Sequence, residues 1–160
     1  MHTLNQQNEM TNMQLTSSAF QHNSAMPSEF TCDGENINPP LGIIDVPANA
    51  KSLVLIVDDP DAPVGVWDHW IVFNVNPSTK EIRQNTQPQG TPGKNSGGRN
   101  SYQGPCPPSG THRYFFKLYA LDITLNIPEG STKKQVESAM QNHILAKSEL
   151  VGQYKRINNQ

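Results

Sequence analysis

Three segments of strand length carry most of the apolar residues. Residues 52–58 contain five consecutive aliphatic side chains, which fill both faces of a pleat and predict a buried strand. Residues 69–75 predict a second strand, joined to the first by a wide connection over residues 59–68. Residues 112–121 are aromatic and nearly continuously apolar, which predicts a central core strand. Together they predict a mainly β core.

A helical pattern follows the third strand. Thr132 and Gln135 have the spacing of a capping box. Apolar or weakly polar residues recur on one helical face, at Val136, Ala139, Met140, His143 and Ile144. We therefore predict one amphipathic C-terminal helix that extends to about Ser148, with His143 packed on it or at its rim.

The remaining segments have turn-rich compositions. Residues 76–111 hold little apolar content and much Gly, Pro and Asn, which predicts one long loop excursion ordered by packing and turns. Residues 13–47 predict short strands or ordered loops. Residues 1–13 lack the basic and apolar stretches of a signal peptide, so we expect a disordered tail on a cytoplasmic protein. Residues 14–157 then form a single domain.

Composition excludes two broad classes of function. A net charge of −2 over 160 residues provides no basic field for a nucleic-acid backbone. The longest aliphatic run is far shorter than the roughly 20 residues of a membrane span. Cys32 and Cys106 match no zinc or redox spacing, so we expect two free thiols, since a bridge would require an oxidising compartment.

A constrained acidic turn follows the first strand. Prolines restrict the backbone of Asp59, Pro60 and Asp61, and hold two carboxylates at the strand end. In one interpretation these carboxylates only accept backbone N–H bonds within a turn. In the other, His69 lies across the hairpin opening, and a carboxylate orients its ring and favours its charged form.

A second constrained loop precedes the third strand. Gly104, Cys106 and the pair Pro107–Pro108 lead directly into His112 and Tyr114. The last two side chains share one strand face because they are two residues apart. The sequence leaves open which sheet edge this strand starts from. If it starts beside the acidic turn, these groups converge with Asp59 and His69 and can donate hydrogen bonds to phosphate or sulfate.

Other chemistries have weaker support in the sequence. A metal site built from His69, His112 and an Asp lacks any recognised ligand spacing. A Cys106 nucleophile paired with His112 has no helix N-terminus to activate the thiol. No phosphate-binding or dinucleotide-binding glycine motif is present, so no cofactor is expected.

Three separated motifs resemble the phosphatidylethanolamine-binding protein family, in its bacterial and archaeal, Raf kinase inhibitor-like branch. They are Asp-Pro-Asp-Ala-Pro at 59–63, His-Trp at 69–70 and Gly-Pro-Cys-Pro-Pro-x-Gly-x-His-Arg-Tyr at 104–114. The resemblance runs from about Gln14 to Arg156. It implies an antiparallel β-sandwich with a Greek-key element and a small cavity for phosphate-like anions.

The resemblance also implies roles for individual residues. The expected ligand-binding set is Asp59, His69, the amide of Cys106, His112 and Tyr114. The expected supporting set is Pro60, Asp61, Gly104, Pro107 and Pro108. Family members are binders of lipid head groups and regulators of kinases or proteases, which implies a non-enzymatic module with a kinase or protease partner. A small phosphoester hydrolase using an Asp–His pair is the alternative, and a homodimer is left open.

Two positions depart from the family pattern. Ile43 stands where relatives commonly have Trp after Pro-Pro-Leu, and Gly97 stands where an aromatic residue often precedes Gly98. Each change removes aromatic surface. We expect both departures to alter ligand preference more than the fold.

Overall fold

A computed structural model describes residues 12–157 of the chain. Within this range, strands alternate with loops, and a one-turn 3-10 helix at Ser28–Phe30 and one α-helix, α1, at Lys133–Met140 interrupt them. The strands are β1 Gln14–Thr16, β2 Ser24–Ala25, β3 Leu41–Ile44, β4 Ser52–Asp59, β5 Trp67–Val75, β6 Glu81–Ile82, β7 Thr91–Pro92, β8 His112–Leu121 and β9 Ile144–Tyr154. The mainly β prediction is confirmed, and the three predicted core strands correspond to β4, β5 and β8.

The strands form two sheets. The larger has the order β2-β9-β8-β4-β5-β7, and the smaller has the order β1-β3-β6. In the larger sheet β4 is antiparallel to both β5 and β8, while β8 is antiparallel to β9. Every residue of β4 is buried, as expected for a strand covered on both faces.

The two faces of β4 pack into separate clusters of side chains. Leu53, Leu55 and Val57 join a large core that includes Leu15 and Ile43 of the smaller sheet. On the other face of β4, Val54 and Ile56 pack in a second cluster, together with the α1 residues Val136 and Met140. The alternation follows from the two-residue period of a strand.

The predicted C-terminal helix is wrong beyond Met140. Gln141 caps the helix, Asn142 has a left-handed φ of 70°, and Ile144–Tyr154 forms β9. The apolar spacing of the helix continues across the turn, but the long backbone ladder with β8 determines the structure there. His143 therefore lies in the connection, where Nδ1 contacts Asp122 Oδ1 at 2.8 Å, and not on a helix face.

The long loop is ordered, as predicted, by turns and side-chain hydrogen bonds around the short strands β6 and β7. Asn38 Nδ2 donates to the carbonyl of Arg83, and Asn95 Oδ1 accepts the amides of Gly97 and Arg99. These buried Asn side chains replace the missing ladder bonds. Asparagine thus provides the order that apolar periodicity does not.

The predicted boundary of the N-terminal tail at residue 13 is wrong, because Met13 belongs to the folded core. Residues 1–11 lie outside the described range. Met13, which we assigned to the tail, is 2% exposed and belongs to the large core. Its apolar side chain packs there because β1 follows immediately and crosses the same core.

Candidate functional site

The open question of strand orientation is resolved by the register of the larger sheet. Asp59 at the end of β4 pairs with Trp67 at the start of β5, and Asp58 pairs with Phe115 near the start of β8. Two strands antiparallel to β4 both begin where β4 ends. The acidic turn, His69 and His112 therefore meet at one sheet edge.

A cavity of about 320 Å³ opens at this edge. Its lining combines polar groups of the three strands with apolar residues of two loops. The lining residues are Asp59, Ala62, Pro63, Val64, Trp67, His69, Gln103, Gly104, Cys106, Pro107, Pro108, His112 and Tyr114. All five residues of the expected ligand-binding set are present.

Asp59 and His112 form a buried pair. His112 Nδ1 donates to Asp59 Oδ2 at 2.7 Å, and the amide of Asp61 donates to Asp59 Oδ1 at the same distance. Both carboxylate oxygens of Asp59 are thereby engaged, which fixes the orientation of the side chain. With Nδ1 held by Asp59, Nε2 is the nitrogen of His112 that a ligand can use.

His69 is oriented by a backbone carbonyl and not by a carboxylate. Its Nδ1 lies 2.6 Å from the carbonyl oxygen of Gln103, which can only accept, so Nδ1 carries the proton. Burial lowers the pKa of His69, so the neutral ring is favoured and Nε2 is an acceptor. Trp67 and Tyr114 pack against the ring, with centroids 4.7 and 5.2 Å away.

Tyr114 places a hydroxyl in the pocket. The side chain is 1% exposed, and its hydroxyl finds no hydrogen-bond partner within residues 12–157. Burial raises the pKa of Tyr114, so the hydroxyl keeps its proton. A buried donor without a partner costs free energy unless a ligand or water accepts from it.

Asp61 lies next to the pocket but does not line it. Arg113 donates to both of its oxygens, from Nε at 2.9 Å and from Nη2 at 2.8 Å, and the Arg113 amide adds a third bond. These hydrogen bonds lower the pKa of Asp61 to about 2. The pair connects the acidic turn that includes Pro60 to the start of β8.

The loop before β8 packs against the segment 28–36. The amide of Gly104 donates to Asn36 Oδ1 at 2.8 Å, and a Cβ at Gly104 would collide with the carbonyl of Phe30, so this position requires glycine. The amide of Cys106 donates to no group in the described range, and Cys106 lines the pocket. This amide is thus open to a ligand.

The prediction of two free thiols is wrong, because Cys32 and Cys106 form a disulfide. The 74-residue separation gave no sign of it. Packing brings the cysteines together, since the amide of Cys32 donates to the carbonyl of Pro105 at 3.0 Å. The bridge also excludes a Cys106 thiol as nucleophile while it is intact.

Comparison with known proteins identifies the family. The family model for the phosphatidylethanolamine-binding protein matches residues 16–155, which is most of the chain. The chain belongs to the phosphatidylethanolamine-binding protein family. The three motifs that carry the resemblance all lie within the matched region.

Relatives and solved structures agree with this assignment to the phosphatidylethanolamine-binding protein family. A UPF0098 protein of Methanothermobacter thermautotrophicus is 48% identical over 150 residues, covering 90% of this chain and 99% of the relative. A structure from Chlamydia trachomatis, described as a phosphatidylethanolamine-binding protein homologue, has a TM-score of 0.88 and 46% identity, and the match covers 90% and 97% of the two chains. Escherichia coli YbcL has a TM-score of 0.84 and 27% identity, with 91% and 99% covered.

Several pocket residues of this family member were missed by sequence reasoning. Trp67 was missed because we began the second strand at His69, although a two-residue alternation places both on one face of β5. Gln103 contributes its backbone carbonyl, and that role has no side-chain signature. Pro63 and Val64, which follow the acidic turn, form an apolar part of the rim, and Val64 is 86% exposed.

The two departures from the pattern of the phosphatidylethanolamine-binding protein family do not line the pocket. Ile43 is buried in the large core on β3. Gly97 lies behind Gln103, whose side-chain oxygen occupies the space that a Cβ would need. Any influence of these positions on the ligand is therefore indirect, through packing or through Gln103.

The described part of the chain contains neither a metal-binding cluster nor a membrane-spanning helix. Residues 12–157 hold no cluster of three or more His, Cys, Asp or Glu side chains suited to a metal ion. Over the same range, no helix has the length and apolar character needed to cross a bilayer.

Proposed function

We propose that this family member binds a small phosphorylated or phosphate-like anion in the pocket at the edge of the larger sheet. The supporting observation is the convergence of unpartnered hydrogen-bonding groups. Nε2 of His69, Nε2 of His112, the Tyr114 hydroxyl and the Cys106 amide all belong to one cavity whose lining is otherwise largely apolar. A few placed polar groups in an apolar cleft are typical of a small-molecule site.

The charges of the lining restrict the anion. Asp59 is acidic, and no Lys or Arg is among the lining residues of the described chain. A ligand of high negative charge would meet a carboxylate with only imidazoles to offset it. The pocket therefore favours a monoanion.

The tautomer of His69 adds a second restriction. Because Nδ1 donates to the Gln103 carbonyl, Nε2 of the neutral ring accepts a hydrogen bond. A hydrogen phosphate or phosphomonoester monoanion carries its own hydroxyl and can donate to it. Sulfate near neutral pH carries no such hydrogen, so we expect the pocket to discriminate between the two.

The buried Asp59–His112 pair also supports a second candidate function. A carboxylate that orients an imidazole is the arrangement of a general base in hydrolases. A phosphoester hydrolase would use His112 to activate water against the bound phosphorus. Regulation of a kinase or protease partner is a further prediction, which follows from the family resemblance alone.

Titration calorimetry with inorganic phosphate and with sulfate at pH 6.5 tests the proposal. We expect saturable binding of phosphate, about tenfold weaker binding of sulfate, and a loss of at least about tenfold for phosphate in His112→Ala. His143→Ala is the matched control, because this imidazole also contacts an Asp but lies outside the pocket.

The outcomes separate the two functions. Absence of saturable binding, or equal losses in both histidine variants, would contradict the anion site. Steady turnover of a phosphoester panel that disappears in His112→Ala but persists in His143→Ala would establish the hydrolase instead.

A further inference from the structure

The disulfide connects the pocket to a segment that does not take part in ligand contact. Cys106 lines the cavity, whereas Cys32 does not. Cys32 follows the 3-10 helix in the segment 28–36, which packs against the pocket loop from outside. A change at this bond therefore reaches the pocket through Cys106.

Hydrogen bonds hold the pocket loop as far as Pro105. The Tyr102 hydroxyl donates to the carbonyl of Phe30 at 2.7 Å, the Gly104 amide donates to Asn36, and the Pro105 carbonyl accepts from Cys32. Within residues 12–157, no hydrogen bond involves the backbone of Cys106 itself. The disulfide is thus the bond that fixes the residue whose amide we assign to the ligand.

Solvent reaches the two ends of the bridge unequally. Cys106 is exposed and Cys32 is half-buried. An incoming thiolate needs access to the sulfur that it attacks. Cys106 is the more exposed half of the bridge, so we take its Sγ as the atom that is attacked.

We propose that thiol–disulfide exchange at Cys32–Cys106 controls the affinity of the pocket, an inference that rests on the proposed anion-binding function. The co-reactant is a dithiol. One of its thiolates attacks Cys106 Sγ, the S–S bond breaks, and Cys32 leaves as a thiolate that takes up a proton. The second thiol of the reductant then resolves the mixed disulfide and releases the Cys106 thiol. Two electrons and two protons pass from the dithiol to the protein.

Reduction leaves most of the site in place. Asp59, His69, His112 and Tyr114 stand on β4, β5 and β8, which are held by continuous backbone ladders. The large core between the sheets contains neither cysteine. Only the Cys106 amide gains freedom, which must be lost again when a ligand binds.

The expected effect is a moderate loss of affinity. If roughly one more backbone residue must be ordered on binding, the dissociation constant rises about fivefold. The flanking Pro105, Pro107 and Pro108 restrict the loop in both redox states, which keeps the effect from being larger. The oxidised protein is the tight-binding form and the dithiol form the weak one.

Calorimetry with inorganic phosphate compares four samples: wild type and Cys32→Ser, each with and without dithiothreitol. We expect wild type to lose about fivefold in affinity on reduction. Cys32→Ser removes the bridge without touching the pocket lining, so it should have the weak affinity in both conditions. Amide hydrogen exchange should accelerate at Cys106 on reduction while β4 and β8 stay protected.

Each result decides between the alternatives. Equal phosphate affinity in oxidised and reduced wild type overturns the redox inference and leaves the anion site standing. A lack of phosphate binding in the oxidised protein overturns both. Loss of protection across β4 and β8 on reduction shows that the bridge supports the whole fold, which overturns the local mechanism.

Discussion

The two histidines of the pocket differ in the acceptor that faces Nδ1. His112 faces the carboxylate of Asp59, and His69 faces the carbonyl of Gln103. A hydrogen bond to a carboxylate is stronger than one to a neutral carbonyl. The two rings are therefore held at the pocket by acceptors of different strength, and each presents its Nε2 to the cavity.

Asp59→Asn should weaken phosphate binding although it removes a negative charge from an anion site. Asn still accepts from His112 Nδ1, but its neutral amide oxygen holds the ring less firmly than a carboxylate does, so we expect about a tenfold loss of phosphate affinity at pH 6.5. Titration calorimetry with phosphate measures this loss of affinity. Asp45→Asn is the matched control, since Asp45 is exposed, lies outside the pocket and has a left-handed φ of 59° that Asn tolerates. Tighter phosphate binding by Asp59→Asn would show that Asp59 only repels the anion and does not support binding through His112.

Sulfate affinity should rise as the pH falls below 6.5. Burial lowers the pKa of His69 from 6.5, so its Nε2 becomes a donor only in more acidic solution, and sulfate requires donors. The lowered pKa of His69 also affects folding. Without ligand, the unfolded chain binds a proton at His69 more readily than the folded protein does, so the free energy of unfolding falls as the pH drops below 6.5.

Sulfate is suited to this measurement because it does not titrate between pH 5 and pH 8. We expect its dissociation constant to be about tenfold smaller at pH 5.5 than at pH 7.5 in wild type, and the dependence to flatten in His69→Gln. A profile of unchanged slope in His69→Gln would exclude His69 as the group that couples protons to the anion.

At the scale of elements, α1 packs on the face of the larger sheet that points away from the large core. Its first residue, Lys133, contacts Asp58 at 3.2 Å and Asp68 at 2.9 Å. Burial lowers the pKa of Lys133, but the hydrogen bond to Asp68 and the charge of Asp58 more than offset it and leave the pKa raised. These contacts fix the start of the helix to β4 and β5, the strands that carry Asp59 and His69.

Val136→Ala should lower stability without changing the pocket. Val136 is 0% exposed in the second cluster, so truncation should cost about 2 kcal/mol, measured by denaturant unfolding. Val66→Ala is the control, because Val66 is 53% exposed and should change stability by less than about 0.5 kcal/mol. Phosphate affinity should match wild type in both variants. A weakened affinity in Val136→Ala would show that the outer cluster supports the site.

At the scale of the whole molecule, the pocket exists because the end of β4, the starts of β5 and β8 and two loops meet at one sheet edge. β4 supplies Asp59, β5 supplies His69, and β8 supplies His112 and Tyr114. The disulfide then attaches the pocket loop to a segment far away in the chain. The site is therefore a property of the assembled sheet, and no single segment contains it.

The sequence by itself determined those features that short-range patterns encode. The five aliphatic residues inside 52–58 specify a strand that is buried on both faces, because the segment is short and rich in β-branched side chains. The aromatic run of 112–121 specifies a strand as well, and its residues alternate between buried and partly exposed positions. The prolines around Asp59 specify a stiff turn, since they restrict the backbone locally. The motif residues identified the family and nominated a pocket lining that the structure brings together.

Only the tertiary structure decided what depends on pairing between distant residues. Three such pairings join segments more than twenty residues apart. They are the pairing of β8 with β4, the pairing of β9 with β8, which overrides a helical pattern, and the Cys32–Cys106 bridge. A local pattern specifies which face of a segment is apolar and leaves its partner open. Partners are selected by ladder hydrogen bonds and shared burial over the whole domain, and these exist only once the chain is folded.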